Sequence, residues 1–259
     1  MAILTERYSR NNLYVEPATQ ARLASTRLFF AGLGLASYAV ECCLRLGFER
    51  IHMVDGDTVS LSNLNRQNFC SDDIGASKVD VALSRLRSIH PEAQISGASV
   101  MLDESSIANH VEAADFVVNT LDYDDGYFLA CNRVAREHGK TVVFPSNFGF
   151  GTACYVFHPD SPTLEDALAG SEHPPSLAIS AMIFARLHER GALSPWMGRA
   201  LERYVAEPPH HEPQLSIGSF LTAGLVASVL FQLVEGEQVP TFPQAVMLDG
   251  RPSRVAEGL

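Results

Sequence analysis

A glycine-punctuated turn between a short apolar run and an amphipathic stretch constrains this chain more than any other feature. Thr26–Ala31 (TRLFFA) leads into Gly32-Leu33-Gly34. Leu35–Leu46 then carries apolar residues at helical spacing and stops at Gly47, a natural position just past a helix end. Arg50–Val54 (RIHMV) comes next as a second strand and ends in Asp55-Gly56-Asp57. Glycines at 32 and 34 allow a tight turn and close approach of backbone to phosphate oxygens, and the helix N-terminus supplies free N–H groups and positive potential. Asp55, about twenty residues past the turn, stands where a carboxylate accepts hydrogen bonds from ribose hydroxyls. Together these describe a nucleotide-binding βαβ unit. Ser37 replaces the third glycine of the usual fingerprint, and a turn of this kind also forms without a ligand.

The same alternation continues. Ser77–Ile89 places Val79, Leu83, Leu86 and Ile89 on one helical face and is closed by Pro91. Ile95–Val100 and Asp115–Thr120 read as strands, Tyr127–His138 as a helix and Thr141–Pro145 as a further strand. Strand and helix in turn predict an α/β, Rossmann-like fold: a mainly parallel sheet with helices on both faces. The C-terminal half is less regular. Phe148–Phe157 reads as a strand with glycine kinks, 158–175 as surface loop around a short helical piece, and Leu177–Arg190 and Met197–Val205 as helices. Glu207–Pro213 is a breaker segment before a long apolar helix at 216–235, and Gln244–Leu248 is a candidate last strand. The expected organisation is one domain over 1–259: an N-terminal arm (1–25), a nucleotide-binding core (26–157), an insertion (158–215) and a C-terminal helix and strand (216–259).

Composition narrows the partners. With 19 Lys+Arg against 30 Asp+Glu the net charge is −11, which argues against a dedicated nucleic-acid surface. The five cysteines are odd in number and contain no C-x-x-C pair, so neither a disulfide framework nor a tetrathiolate zinc site is expected. Gln214–Val234 is uncharged and long enough to cross a bilayer, but Ser216, Ser219, Thr222, Ser228 and Gln232 lower its hydropathy, and no basic cluster flanks it. A buried helix is the expectation, in a soluble, reduced, cytoplasmic protein with no membrane partner.

The segment beyond the second strand does not suit hydride transfer. Asp55-Gly56-Asp57-Thr58-Val59-Ser60-Leu61-Ser62-Asn63-Leu64-Asn65-Arg66-Gln67 sets two acids, an Asn and an Arg past the strand end; Lys78 opens the next helix, and Asp122 lies past the 115–120 strand. Cations that neutralise a reacting phosphate, with a carboxylate that holds Mg²⁺, are what phosphoryl or nucleotidyl transfer needs.

The DGDTVSLSNLNRQ string, the glycine turn, Arg7-Tyr8-Ser9-Arg10-Asn11, Lys78 and Asp122 together resemble the ThiF/MoeB/HesA superfamily, the adenylating enzymes related to ubiquitin-activating enzymes. The resemblance runs in order over about residues 7–157. It implies an ATP-dependent adenylyltransferase in which a carboxylate attacks the α-phosphorus of ATP, giving an acyl-adenylate and pyrophosphate. The acceptor would be the C-terminus of a ubiquitin-like or sulfur-carrier protein, a peptide, or a small biosynthetic acid. It further implies nucleotide contacts from Gly32, Gly34, Leu35, Asp55, Asp57, Asn63, Arg66, Gln67 and Lys78. Arg66, Lys78, Asp122 and Arg10 would carry catalysis, Asp122 holding Mg²⁺ and Arg10 reaching into the site of a second copy in a homodimer. Alternatives within the superfamily are a catalytically silent scaffold subunit and a tRNA-modifying cyclic dehydratase.

Leu35 and Ser37 depart from the family's glycines, and no cysteine lies between Phe157 and the C-terminus, which disfavours an enzyme-bound thioester. Cys70 reads as a partly buried bystander thiol, Arg85 and Arg87 as a solvated face, and His210-His211 as a solvated loop. Asp124-Asp125 read as helix N-terminal acids. The Gly, Ala and Ser content of 216–235 suits close backbone approach at an interface between copies.

Overall fold

The computed structural model describes residues 6–123, 126–172, 175–189, 194–207 and 213–251. Its seven strands, β1 (Arg27–Ala31), β2 (Arg50–Val54), β3 (Gln94–Ala98), β4 (Phe116–Asn119), β5 (Thr141–Phe148), β6 (Gly151–Phe157) and β7 (Ala245–Asp249), form one sheet in the order β3-β2-β1-β4-β5-β6-β7. The first five are parallel; β6 runs antiparallel to β5, and β7 antiparallel to β6. The mainly parallel α/β architecture read from the sequence is the one observed.

Alternating side chains divide the core between two faces. Leu28, Phe30, Ile51, Met53 and Ile95 point to one face, where α2 (Ser37–Leu46), α3 (Lys78–Ile89), α9 (Ser216–Glu235) and Leu23 of α1 (Pro17–Ser25) cover them. Phe29, Ala31, Val117, Val142 and Phe144 point to the other. There they pack under α4 (Glu104–Glu112), α5 (Tyr127–Glu137), α6 (Leu164–Leu168), α7 (Pro175–Glu189) and α8 (Pro195–Ala206). Burying strands on both faces is why they read as continuous apolar runs rather than as alternating ones.

Helix α9 packs against α1, α2, β5 and β6, with Val226, Val229 and Leu230 buried. By length and composition it could cross a membrane, and half of its apolar window lies inside the protein. This is the buried helix that its interrupting Ser, Thr and Gln residues suggested.

Two helices went unanticipated. Within the expected arm, α1 forms with Pro17 at its first position, where a missing N–H costs nothing. Residues 103–106 close a capping box at the start of α4: Ser106 N–H donates to Asp103 Oδ1 (2.8 Å) and Asp103 N–H to Ser106 Oγ (3.0 Å). Only Ile107 and Val111 of α4 are buried, too few to produce a clear helical period. Strand β5 also runs through Pro145 to Phe148, further than expected. Its β4 pairing ends at Val143, so the proline falls beyond that ladder.

Candidate active site

From β1 the chain moves outward to β2 and β3, then returns to place β4 on the other side of β1. The carboxyl ends of β1 and β4 therefore diverge into a crevice, the place where open α/β sheets take their ligands. Gly32 lines it with φ +87°, and a Cβ there would lie 2.8 Å from the Thr120 carbonyl oxygen. The Thr120 hydroxyl donates to Ala31 O (3.2 Å) and Gly32 O (3.0 Å), clamping the two strand ends together. Gly34 differs. Its φ is unexceptional and a Cβ would meet only Gln67 Nε2, at an ordinary 3.4 Å. Nothing in the chain itself requires a glycine at 34. Its absent side chain leaves open space beside Gln67, whose buried Oε1 has no hydrogen-bond partner.

Asp55 holds the turn. Its Oδ2 accepts from the Leu33 N–H (2.6 Å) and its Oδ1 from the Asp57 N–H (2.8 Å). A carboxylate has about four lone-pair sites, so two remain for another donor. Leu35, half-buried, begins the bend into α2.

Residues 58–77 form a closed loop pinned at its neck by the antiparallel bridge Thr58↔Ser77 and by Val59 N–H to Ala76 O (2.8 Å). Inside it, Asn63 accepts from the Ser60 N–H through Oδ1 (2.9 Å) and so serves as a local cap, a use of the buried amide that its residue type alone does not reveal. The loop is stitched to the glycine turn by Ser37. Its hydroxyl donates to Gly34 O (3.0 Å) and accepts from the Asn68 N–H (3.1 Å). The departure from the glycine fingerprint is thus a structural link between the turn and the Arg66-Gln67 loop.

Glu41 strengthens that link. It accepts from Asn68 Nδ2 (2.8 Å), Arg45 Nε (2.8 Å) and Arg85 Nε. Burial pushes its carboxyl up, but the hydrogen bonds from Arg85, Asn68 and Arg45 outweigh this and hold it below the ordinary value. Arg85 and Arg87 are exposed, as expected of a solvated face, and each also makes a tie, Arg85 to Glu41 and Arg87 to Ile95 O (3.2 Å). Cys70 is exposed rather than partly buried. Its thiol donates to Asp73 Oδ2 (3.1 Å), and that acceptor raises its pKa, the opposite of an activated thiolate.

The two cations are held differently. Lys78 is 6% exposed and its Nζ donates to Asp57 Oδ2 at 2.7 Å. Lysine is almost never so buried without a partner, and Asp57 is that partner. Arg66 donates through Nε to Gln214 Oε1 (2.7 Å) and through Nη1 to Ser62 O (2.7 Å) and Asn65 Oδ1 (2.9 Å). Its burial lowers the guanidinium pKa, yet an arginine keeps its charge in proteins. Gln214 is a residue that sequence reasoning missed. It lies just before α9, far away in the chain, and carried no signal beyond opening an uncharged run.

Asp122 is exposed at the end of the turn after β4. Buried Asn119 shapes that turn, with Oδ1 accepting from the Leu121 N–H (3.3 Å) and Nδ2 donating to Phe128 O and Asn132 Oδ1 (both 2.9 Å). Asp124-Asp125 and His210-His211 lie outside the described residues. Among the described residues no group of three or more His, Cys, Asp or Glu side chains is placed to hold a metal.

Arg10 stands apart. It is exposed on a 3₁₀ turn, Glu6–Asn11, tied to the opposite rim by Tyr8 OH to Glu49 Oε1 (2.9 Å), Arg7 Nη1 to Ile89 O (2.7 Å) and Asn11 Nδ2 to Leu46 O (3.1 Å). A five-residue strand at about 3.3 Å per residue separates that rim from the glycine turn of the same chain.

Comparison with known proteins agrees with this geometry. Over 162 residues the chain is 32% identical to the SAMP-activating enzyme E1 of Haloferax volcanii, covering 61% of this chain and 59% of that protein. It is 34% identical over 150 residues to the molybdopterin-synthase adenylyltransferase of Escherichia coli, covering 52% and 59%. To the tRNA threonylcarbamoyladenosine dehydratase of E. coli it is 29% identical over 113 residues, covering 42% of each. The match thus spans 59% or less of each of these relatives. Among solved structures, E. coli MccB with ATP superposes with a TM-score of 0.68 at 17% identity, over 91% of this chain and 66% of that one. The microcin C7 enzyme MccB in complex with N-formylated MccA gives 0.71 at 16%, over 94% and 69%. At such identities the superpositions speak for the fold. The ThiF family profile matches residues 8–254, nearly the whole chain, and this protein is a member of the ThiF family.

Proposed function

We propose that this chain is an ATP-dependent adenylyltransferase that activates a carboxylate as an acyl-adenylate with release of pyrophosphate. The observation that carries this reading is the space at Gly34. A glycine that the fold itself does not need stands at the mouth of the switch-point crevice, beside a buried, unpartnered Gln67 oxygen and the loop bearing Arg66. The names of the adenylyltransferase relatives agree with it.

In this reading the remaining lone pairs of Asp55 accept the ribose hydroxyls, and backbone N–H groups at Gly34 and Leu35 face the phosphates with Asn63 and Gln67 nearby. Arg66 and Lys78 offset negative charge as it builds on the α-phosphorus, Lys78 being released from or shared with Asp57. A carboxylate is already nucleophilic at neutral pH, so the chain supplies positioning and fixed positive charge rather than proton transfer. Bound Mg²⁺ would neutralise charge on the triphosphate. One exposed carboxylate together with substrate phosphates is a usual magnesium environment, and Asp122 fits it. Arg10 would act on the site of a second copy, since its segment is anchored at the far rim of its own.

The acceptor is the C-terminus of a carrier protein or peptide, or a small biosynthetic acid. ATP–pyrophosphate exchange tests the reading, with a Gly-Gly-ended carrier, a peptide and a small acid as separate arms and tRNA as the arm for the dehydratase alternative. Exchange that depends on one acceptor supports it. Absence of ATP binding by calorimetry in Mg²⁺ rejects it.

A further inference from the structure

On the rim opposite the glycine turn, a cleft of about 560 Å³ opens between the first residues of β1, β2 and β3 and the end of α4. Strand register sets its wall. Arg27, Arg50 and Gln94 are paired across the three strands, and two residues further on Phe29, His52 and Ser96 are paired in the same way. Helix α4 brings Asn109 and His110 over them. The net charge of the protein is −11, yet the charged or titratable side chains lining this cleft are Arg27, Arg50, His52 and His110, with no carboxylate among them. Asp115 lies adjacent and is already engaged, accepting from Arg27 Nη2 (2.6 Å) and Nε (3.2 Å). Arg50 is exposed and makes no ion pair among the described residues.

The histidines are wired in series. Ser96 Oγ lies 2.8 Å from His52 Nδ1, and His52 Nε2 lies 3.0 Å from His110 Nδ1. Both rings stack on Phe29, with centroids 5.9 and 5.3 Å away, which fixes their planes. Burial lowers the pKa of both, and for His52 the neighbouring His110 adds to this, which favours the neutral form of each ring. Two proton arrangements of the neutral pair satisfy both links: Ser96 O–H donates to His52 Nδ1 and His52 Nε2–H to His110 Nδ1, which leaves the His110 proton on Nε2, or both bonds run the other way, which leaves His110 Nε2 bare. In both, His110 Nε2 has no hydrogen-bond partner among the described residues, and an acceptor arriving there selects the first arrangement. His110 and Arg50 line the same cleft.

We propose that this cleft binds the oxyanion of a small molecule, a phosphate or carboxylate group, through the His110 Nε2–H and the Arg50 guanidinium. The site is separate from the nucleotide crevice by the length of the strands and does not depend on the adenylation reading. An oxyanion is the group that accepts from both donors at once, and the volume admits a ligand of small-metabolite size.

The test is a titration of the full-length protein with inorganic phosphate, and separately with acetate, at pH 7.5 and constant ionic strength set by chloride. Histidine side-chain ¹⁵N resonances are the readout. Saturable shifts of the His110 and His52 nitrogens, with affinity lowered about tenfold or more in Arg50→Ala, are expected. Response to phosphate alone or to acetate alone identifies the class of oxyanion. Arg50 is exposed, so its removal leaves the fold intact, and His110→Gln, checked by circular dichroism, should abolish the response. Shifts that stay linear and match those from chloride, or saturable shifts unchanged in Arg50→Ala, would overturn the proposal.

Discussion

The two rims of the sheet are built from the same strands but treat charge in opposite ways. At the carboxyl rim the charged groups of the turn and its loop are tied to other groups. Asp55 holds two backbone N–H groups, Lys78 is buried on Asp57, and Arg66 is shared among Gln214, Ser62 and Asn65. At the amino rim beneath α4, Arg50 and the outer nitrogen of His110 face a cleft with no carboxylate in its lining. The difference shows how preorganisation is made. Where the backbone turns sharply, side chains are recruited to hold it, and the charges become fixed in place. Where strands simply begin, ties are fewer: Arg27 is held by Asp115, but Arg50 projects with no ion pair among the described residues.

The sharpest way to break the contrast is to remove a fixed charge from the carboxyl rim. Arg66→Ala and Asp122→Ala should each lower ATP–pyrophosphate exchange by about a hundredfold or more, the scale of losing one preorganised electrostatic contact. Equal exchange in wild type and variants would show that these ties are only structural. Next comes the strand clamp. Gly32→Ala combines a left-handed φ with a 2.8 Å approach to Thr120 O, and a loss of about 1–3 kcal/mol should appear as a lower thermal midpoint. Gly34→Ala sharpens the comparison, since it should leave the midpoint nearly unchanged while raising the KM for ATP.

Ser37→Ala removes one donor and one acceptor at the stitch between turn and loop. A loss of about 0.5–1.5 kcal/mol by urea denaturation is expected, with a larger effect on KM for ATP than on kcat. The smallest effect belongs to the amino rim. His52 and His110 have folded pKa values below the ordinary imidazole value, so between that value and their lowered ones the unfolded chain binds more protons than the folded one. Stability contributed there is complete above about pH 6.5 and declines as pH falls. The urea midpoint should therefore drop modestly from pH 7.5 to 5.5, and less in His110→Gln. A flat profile in the wild type would show that the pair is not buried in solution.

Much of the fold was legible. Apolar runs ending in Gly32 or Asp55, and the helical spacing of Val79, Leu83, Leu86 and Ile89, reflect burial patterns repeated over a whole element. Helix α4 was not legible because two buried residues make no period, although its Asp103–Ser106 box was readable. At the site, Gly32, Asp55 and Lys78 stand at element ends that periodicity locates, so their placement could be anticipated. Their partners were less accessible. That Asp57 neutralises Lys78, or that Asn63 caps its own loop, depends on side-chain direction rather than residue type. Arg85 is exposed as read, but its tie to Glu41 was not legible because Glu41 comes from a different helix.

The chain by itself determined the succession of the strands and of most helices, the glycine turn and the family, because these depend on local backbone preference and on which side chains avoid water. Only the tertiary structure decided that Ser37 replaces a glycine usefully, that Gln214 steadies Arg66 from far along the chain, and that two histidines meet in a cleft also lined by Arg50. Those outcomes arise from contacts between distant segments. Local preference is blind to them, since a hydrogen bond or ion pair forms wherever packing happens to bring donor and acceptor within about 3 Å.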